Sequence, residues 1–377
     1  MSVVPVSQEL KTWPTPYGPI TQRMIFANLL KDIVRPGKCV YCGSCAATCP
    51  TNAVQMLEDA PRILGVCIKC GYCYYACPVT TEEDFKGFDK DIEESIFGLP
   101  RSEKFGVYRK IYLVKRVEDP DAFPDEAIAK KILAYGLRKG YWDVVAYSGR
   151  DSPVTDGLLN YRVSGWRGRP SIACKPGDME SAKLKLITPG PTILGVRGAV
   201  EEYKGAYFHG VEPIRVAVLG PPHHIRSIWR GRFSWAGHTK LLKTIVFMIS
   251  YFARKFYLPS KLNVILMRNG LSLESIEDIE YKRNSILFKA GDKVVEYRFE
   301  DLEEAIHPGI SSIKDLTGEY SDLSIGLLDD VEGVVLIARS EEAVSLLDEL
   351  LGEGVLESLE FDERDLVNKL NKLYEGG

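Results

Sequence analysis

Eight of the chain's nine cysteines fall between residues 39 and 77. They are Cys39, Cys42, Cys45 and Cys49, then Cys67, Cys70, Cys73 and Cys77. Each set reads C-x2-C-x2-C-x3-C and is closed by a proline, Pro50 or Pro78; every cysteine of the second set lies 28 residues after its counterpart. This is one metal-binding unit repeated. Three thiolates spaced three residues apart let a short loop wrap a cube of iron and sulfide, each sulfur reaching a different iron. The loop cannot surround the cube, so a fourth ligand comes from elsewhere. In two-cluster chains the fourth cysteine of each run ligates the other cluster. The spacing therefore predicts one [4Fe–4S] cluster on Cys39, Cys42, Cys45 and Cys77 and a second on Cys67, Cys70, Cys73 and Cys49. Gly43 and Gly71 supply backbone freedom to the wrapping loops. Disulfides would need an oxidising compartment. A zinc ribbon pairs C-x2-C units across a longer gap and has no use for the third cysteine or the C-P close.

"KCVYCGSCAATCPTNAV" and "VCIKCGYCYYACPV" resemble bacterial-type ferredoxins over about residues 33–80. Val40, Val54, Ile63, Ile68 and Val79 are expected to form the apolar shell of the clusters. Tyr41, Tyr72, Tyr74 and Tyr75 either shield the cubes or simply pack. Cys174, in "SIACKPG", has no cysteine neighbour in the sequence. A lone cysteine in an apolar run reads as a small hydrophobe.

At 377 residues the chain has room for about two or three domains. Its 48 basic and 52 acidic residues leave a net charge of −4, which argues against a surface coated for nucleic acid. The longest apolar run, Thr244–Phe252, falls well short of the roughly 20 residues a membrane helix needs, and its β-branched content suits a buried strand. Met1–Pro5 shows no basic segment leading into an apolar one, so no secretion signal and a cytoplasmic location are expected.

The pattern predicts four segments. Residues 1–32 form an extension with Trp13, Pro14, Pro16 and Tyr17 in a docked irregular strand. Residues 33–80 are the ferredoxin-type unit, 81–104 a polar linker, and 105–377 a larger module. Strands are expected at "VYRKIYLVKR", "DVVAYS", "IRVAVLG" (214–220) and "VVLIA" (334–338). Helices are expected from Pro124 to about Leu137 with Gly140 ending it, near 177–185, from a Ser340 cap through Leu351 with Gly352 beyond, and over 363–374. "GPPHH" reads as a turn after a strand, a common place for ligands in α/β sheets. The fold class is α/β or α+β: a small 2×[4Fe–4S] unit followed by a larger mixed-sheet domain.

Several stretches of the large module resemble the beta subunit of coenzyme F-420 hydrogenase or dehydrogenase. They are "AIAKKILAYGLRKGYWDVVAYS", "TPGPTILGVRGAVEEY", "IRVAVLGPPHHIRSIW", "IEDIEYKRNSILFKAGDKVVEYRFEDLEEA" and "IKDLTGEYSDLSIG". In that order they cover most of residues 105–351. The resemblance implies a flavin, FAD or FMN, and a further iron–sulfur cluster on four separated cysteines. The chain departs from both. The four cysteine places read His223, Ala253, Ile310 and Ile313, which cannot hold a thiolate cluster. A Gly-Gly pair before the first helix is replaced by Asp125-Glu126-Ala127-Ile128, and Glu126 beside a phosphate is unfavourable. No third cluster is expected, and the change argues against flavin or deazaflavin.

"HHIRSIWRGRFSWAGHTK" interleaves Arg226, Arg230, Arg232 and Lys240 with Trp229, Phe233 and Trp235. Cations among aromatics suit a phosphate and a ring, a single nucleic-acid strand, or a partner protein. A solvated basic helix with core aromatics is the plain alternative. His223, Arg226 and Arg230 are the cofactor-binding candidates. Fusion to two redox clusters weakens the nucleic-acid reading.

Two functions follow. In one, the chain is an oxidoreductase subunit in which a flavin accepts a hydride and passes single electrons to two [4Fe–4S] clusters. In the other it is a non-catalytic electron wire and docking subunit whose large domain has lost flavin and the extra cluster. Both call for a hetero-oligomer with a catalytic oxidoreductase subunit, or a soluble redox carrier, as partner.

Overall fold

Alternate residues of the central strands face opposite sides of one sheet, and the two sides bury different halves of the molecule. Val144 and Ala146 point to the side that holds the cysteine turns, Val145 and Tyr147 to the other. Val216 and Val218 repeat the choice against Ala217 and Leu219. With both faces covered, such strands read as continuous apolar runs, as "IRVAVLG" does.

The computed structural model describes residues 24–57, 60–80, 88–150, 166–202, 214–233, 240–282, 284–310 and 314–375. Trp13, Pro14, Pro16, Tyr17, Trp235 and Ile313 lie outside the described residues. Among those described, the first half contributes helices α1 (Phe26–Leu29, continued by a π-turn over Leu30–Val34), α2 (Ser44–Ala47), α3 (Tyr72–Tyr75), α4 (Phe88–Phe97), α5 (Pro124–Lys139), α6 (Pro176–Glu180) and α7 (Thr192–Glu202). Its strands are β1 (Val54–Met56), β2 (Pro61–Ile63), β3 (Lys110–Val114), β4 (Val144–Gly149) and β5 (Arg169–Ala173). The second half supplies β6 (Val216–Gly220), α8 (Pro222–Phe233), α9 (Lys240–Lys243), β7 (Ile245–Tyr251), α10 (Pro259–Arg268), β8 (Asp278–Tyr281), β9 (Ser285–Ala290) and β10 (Lys293–Arg298). It ends with β11 (Leu323–Gly326), β12 (Val334–Ala338), α11 (Glu341–Gly352) and α12 (Glu363–Lys372).

The main sheet is mixed, in the order β3-β12-β11-β7-β6-β4-β5. Its centre, β11-β7-β6-β4, is parallel, and β12, β3 and β5 pair antiparallel at the edges. Helices α5 and α11 cover one face. The other face meets α7, α8 and the cysteine turns in a single core that includes Cys45, Cys49, Cys73 and Cys77. A three-stranded antiparallel sheet, β10-β9-β8, forms a satellite core with α10. The mixed α/β expectation therefore holds.

Local signals explain most boundaries. Gly140 ends α5 in the left-handed conformation, φ 71°. Ser340 Oγ accepts from Ala343 N (3.2 Å) and starts α11. The helix expected near 177–185 stops at Glu180, because the backbone is drawn away: Leu184 N and Lys185 N both donate to Asp121 O (2.7 and 3.0 Å). "GPPHH" is not an open turn. Pro222 begins α8 directly, with Pro221 O accepting from His224 N (2.9 Å), as proline allows in a first helical turn.

The stretch read as a polar linker carries α4, whose Ile92, Glu93 and Phe97 are buried. Arg101 ties it down, donating to Glu93 Oε1 (2.8 Å) and to Glu319 Oε2 (2.7 Å). Burial, then the neighbouring Glu319 carboxylate, holds the Glu93 carboxyl well above the usual carboxylate range. A carboxyl that keeps its proton when folded and loses it when unfolded makes stability fall as pH rises above that range. Glu93→Gln should remove this fall. Urea unfolding of the two proteins between about pH 5 and pH 8 measures it, and parallel stability profiles would contradict the assignment.

Candidate iron–sulfur centre

The sequence repeat is also a backbone repeat. Tyr41 and Lys69, 28 residues apart, both take positive φ (58° and 56°) although neither is glycine. Gly43 and Gly71 follow at 81° and 86°, and α2 and α3 begin immediately after them. Left-handed residues on either side of the second cysteine curl the chain, so that the thiols of one run face a common centre. At Gly71 a Cβ would stand 2.4 Å from Met24 O, and at Gly43 2.6 Å from Pro191 Cβ. Both glycines are needed for close approach as well as for φ.

The thiols gather in two sets. Cys42 feels Cys77 and Cys39, and Cys45 feels Cys42 and Cys39 first, then Cys73 and Cys77. Cys73 feels Cys70, Cys49 and Cys67. A cavity between the turns is lined by Cys49, Cys67, Cys70 and Cys73, with Phe26, Val54 and Ile68 among its other walls. Burial is the main reason the Cys42, Cys45, Cys73 and Cys77 thiols are pushed above their ordinary range. Bare, these sulfurs hold their protons; ionised, they need cations beside them. Four convergent soft donors on a wrapping backbone, with an apolar surround, fit a thiolate-bound iron–sulfur cube. Among the described residues no three His, Cys, Asp or Glu side chains are placed to hold a single metal ion.

The surround is not uniform. Cys42, Cys45 and Cys77 are buried with Cys39 half-buried in the first set; Cys49 and Cys73 are buried with Cys67 and Cys70 half-buried in the second. Val40 and Val54 are buried and Val79 partly so, as expected of a shell. Ile63 departs from the expectation at 40% exposed; Ile68 does line the cavity but is 57% exposed, with Leu64 and Val66 (57% and 81%) between the two. This loop is the outer rim of the second set. Tyr74 and Tyr75 pack edge to face in the core (centroids 5.7 Å apart), and Tyr41 lies under the Arg167 guanidinium (3.9 Å). Cys174 follows the end of β5 and packs partly buried against the same core, its N–H donating to Asp178 Oδ2 (3.1 Å).

Two helices of the large module cradle the turns. From α7, Ile193 N donates to Cys42 O (3.1 Å), and Arg197 Nη1 donates to Ala46 O (3.0 Å) and Cys49 O (3.4 Å). From α8, Arg230 Nη1 donates to Cys77 O (2.8 Å), Thr80 O (3.1 Å) and Thr80 Oγ1 (2.6 Å). Each arginine thus grips the carbonyl of a fourth cysteine. Ser227 bonds the Cys42 thiol from the same helix. The described part of the basic aromatic stretch, His223–Arg232, is therefore not a solvated helix. Arg230 and Trp229 are buried, and Trp229 Nε1 donates to Tyr320 O (2.7 Å). His223 and His224 are buried, and desolvation lowers both, His224 to about 3. His224 Nδ1 bonds Thr192 Oγ1 (2.9 Å). Arg197 and Ser227 carry no sequence signal of their own, since only packing brings them to the cysteines.

The places read as lost cysteines do not form one cluster of like residues. His223 is buried beside Phe256, Ala253 is exposed, and Ile310 is half-buried. At the start of α5 the two acids in place of glycines fill the helix end themselves. Glu126 Oε2 accepts from Phe123 N (2.9 Å) and Asp125 Oδ1 from Glu126 N (3.1 Å). Arg254 then pairs with both carboxylates, reaching Glu126 Oε1 at 2.7 Å. A phosphate does not fit at this end.

Comparison with known proteins places these features. Residues 31–78 match the family model of a 4Fe-4S dicluster domain. Residues 214–364 match that of the C terminus of the coenzyme F420 hydrogenase/dehydrogenase beta subunit. A coenzyme F420-dependent sulfite reductase of Methanocaldococcus jannaschii is 24% identical over 355 residues, 91% of this chain. The chain spans about half (49%) of that relative's length. An uncharacterized protein of the same organism is 23% identical over 372 residues, 92% of this chain and 96% of its own length. A chain of the F420-reducing [NiFe] hydrogenase complex from Methanosarcina barkeri superposes with a TM-score of 0.59 at 16% identity, over 73% of this chain and 91% of its own; it shares the fold. Residues 214–364 are thus similar to the C terminus of the coenzyme F420 hydrogenase/dehydrogenase beta subunit, and residues 31–78, ahead of them, to a 4Fe-4S dicluster domain.

Proposed function

We propose that the chain is the electron-relay subunit of an F420-linked oxidoreductase, holding two [4Fe–4S] clusters with exchanged fourth ligands. Cys39, Cys42, Cys45 and Cys77 are the ligands of an interior cluster. Cys67, Cys70, Cys73 and Cys49 are those of an outer one. The observation that carries this is the cavity walled by Cys49 together with Cys67, Cys70 and Cys73: a cysteine of the first run stands with three of the second. When bound, such clusters supply one-electron transfer at potentials set by hydrogen bonds and burial.

The chain's own residues do the rest. The wrapping turns fix the thiolates, and α7 and α8 hold those turns by Arg197, Ile193, Ser227 and Arg230. Arg226 and Arg230 serve a cofactor on this reading, but it is the interior cluster rather than a flavin; His223 is a neutral member of the same wall. Residues 33–80 form the cluster unit and 105–377 the positioning module. A catalytic oxidoreductase subunit or a soluble carrier supplies or collects the electrons in a hetero-oligomer. No helix among the described residues is long and apolar enough to cross a membrane.

The Asp125–Glu126–Arg254 arrangement favours the form of this function in which the large module binds no flavin. Its N-terminal helix end is closed by its own carboxylates, and no hydride step is assigned to it.

Two measurements check the proposal. Cys42→Ser should damage the interior cluster and leave the outer one, so electron paramagnetic resonance of the reduced protein should lose the coupling between two clusters. Unchanged coupled spectra would refute the ligand assignment. Acid release after anaerobic purification and incubation with FAD or FMN should yield no stoichiometric flavin. About one flavin per chain would make the large module a hydride-to-electron converter instead.

A further inference from the structure

The two cysteine sets have nearly the same sequence and unequal surroundings. Three of the four interior thiols are buried against two of the four outer ones, Cys49 and Cys73; Cys67 and Cys70 are half-buried behind an exposed loop. A thiolate-bound cluster is already anionic, and an added electron makes it more so. Removing water from around it makes that electron harder to add. Left to burial alone, the interior site would be the harder of the two to reduce, and electrons arriving at the outer site would stop there.

The large module places a cation at the interior site. Arg230 is fully buried (0% exposed) and is fixed by three acceptors in the turn after Cys77. A guanidinium keeps its charge in any such setting, and in a poorly solvated interior its field is weakly screened. Arg226, one helical turn earlier on α8, also bears on the Cys77 sulfur. The equivalent grip on the outer set differs. Arg197 is partly exposed and ion-paired with Glu201 (2.8 Å), conditions in which a charge acts weakly.

We propose that Arg230, with Arg226 beside it, is a positioning residue that holds up the reduction potential of the interior cluster, so that it accepts an electron from the outer one. This rests on the two-cluster reading above. The step moves one electron: the outer cluster, filled by a one-electron donor, is oxidised by one as the interior cluster is reduced by one, with no bond or proton changed.

The test is a dithionite titration of the full chain, purified anaerobically, followed by electron paramagnetic resonance with iron and acid-labile sulfide counted. Arg230→Met should lower one of the two midpoints and leave the other. The expected change is at least about tenfold in the reduced-to-oxidised ratio, which for one electron is about 59 mV. Arg230→Lys should keep most of the wild-type value, and Arg197→Met should move neither midpoint appreciably. Unmoved midpoints in fully loaded Arg230→Met, or equal shifts in the Met and Lys variants, would overturn the proposal. If Arg230→Met loads poorly, Arg226→Gln decides instead: a smaller fall in the same midpoint supports the proposal, and no fall in the loaded protein overturns it. A wild-type protein holding other than two clusters would sink the underlying reading rather than the tuning alone.

Discussion

The cysteine turns are buried against one face of the seven-stranded sheet, and most of the architecture follows from that contact. A run of C-x2-C-x2-C is short and carries little apolar surface of its own. Its helices, α2 and α3, are four residues each, too short to stand alone in water. Val144, Val216, Val218, Ile193 and Ile228 supply the missing apolar wall. The cluster unit and the large module therefore share a core. Electrostatics made at one is felt at the other.

Hydrogen bonding makes the contact specific. Backbone carbonyls in a tight turn have few partners within it, and buried ones must find donors. Arg197 and Arg230 reach them from α7 and α8, one at Cys49 and one at Cys77. The internal repeat in the cysteines is thus answered by a non-repeated pair of arginines on different helices. One lies near solvent, the other in the interior. Two sites alike in sequence become unlike in environment.

The large module holds buried charge by pairing it. The end of α5 is closed by Asp125, Glu126 and Arg254, a buried charged group whose members satisfy one another. Unpaired buried charge is costly, so the acids and Arg254 stand or fall together. His223, at a place where the family resemblance implies a cysteine, is a neutral side chain in an apolar wall.

Much of this was written in the sequence. Cysteine spacing specifies its chemistry through distances of three or four residues, where the chain's local geometry leaves few alternatives, and the apolar runs at 214–220, 244–252 and 334–338 read as buried strands. Caps such as Ser340 and Gly140 act within a single turn and were legible for the same reason. The basic aromatic stretch was not. Arg226 and Arg230 read equally well as a surface, a phosphate site or a partner face, because what a long cation does depends on what lies within a few ångströms of its head. Arg197 and Ser227 gave no signal, and Ile63 looked like a shell residue although it is exposed. Which cysteine run lies inside, and which cation stands beside it, was decided only when the sheet brought residues about 150 positions apart into contact.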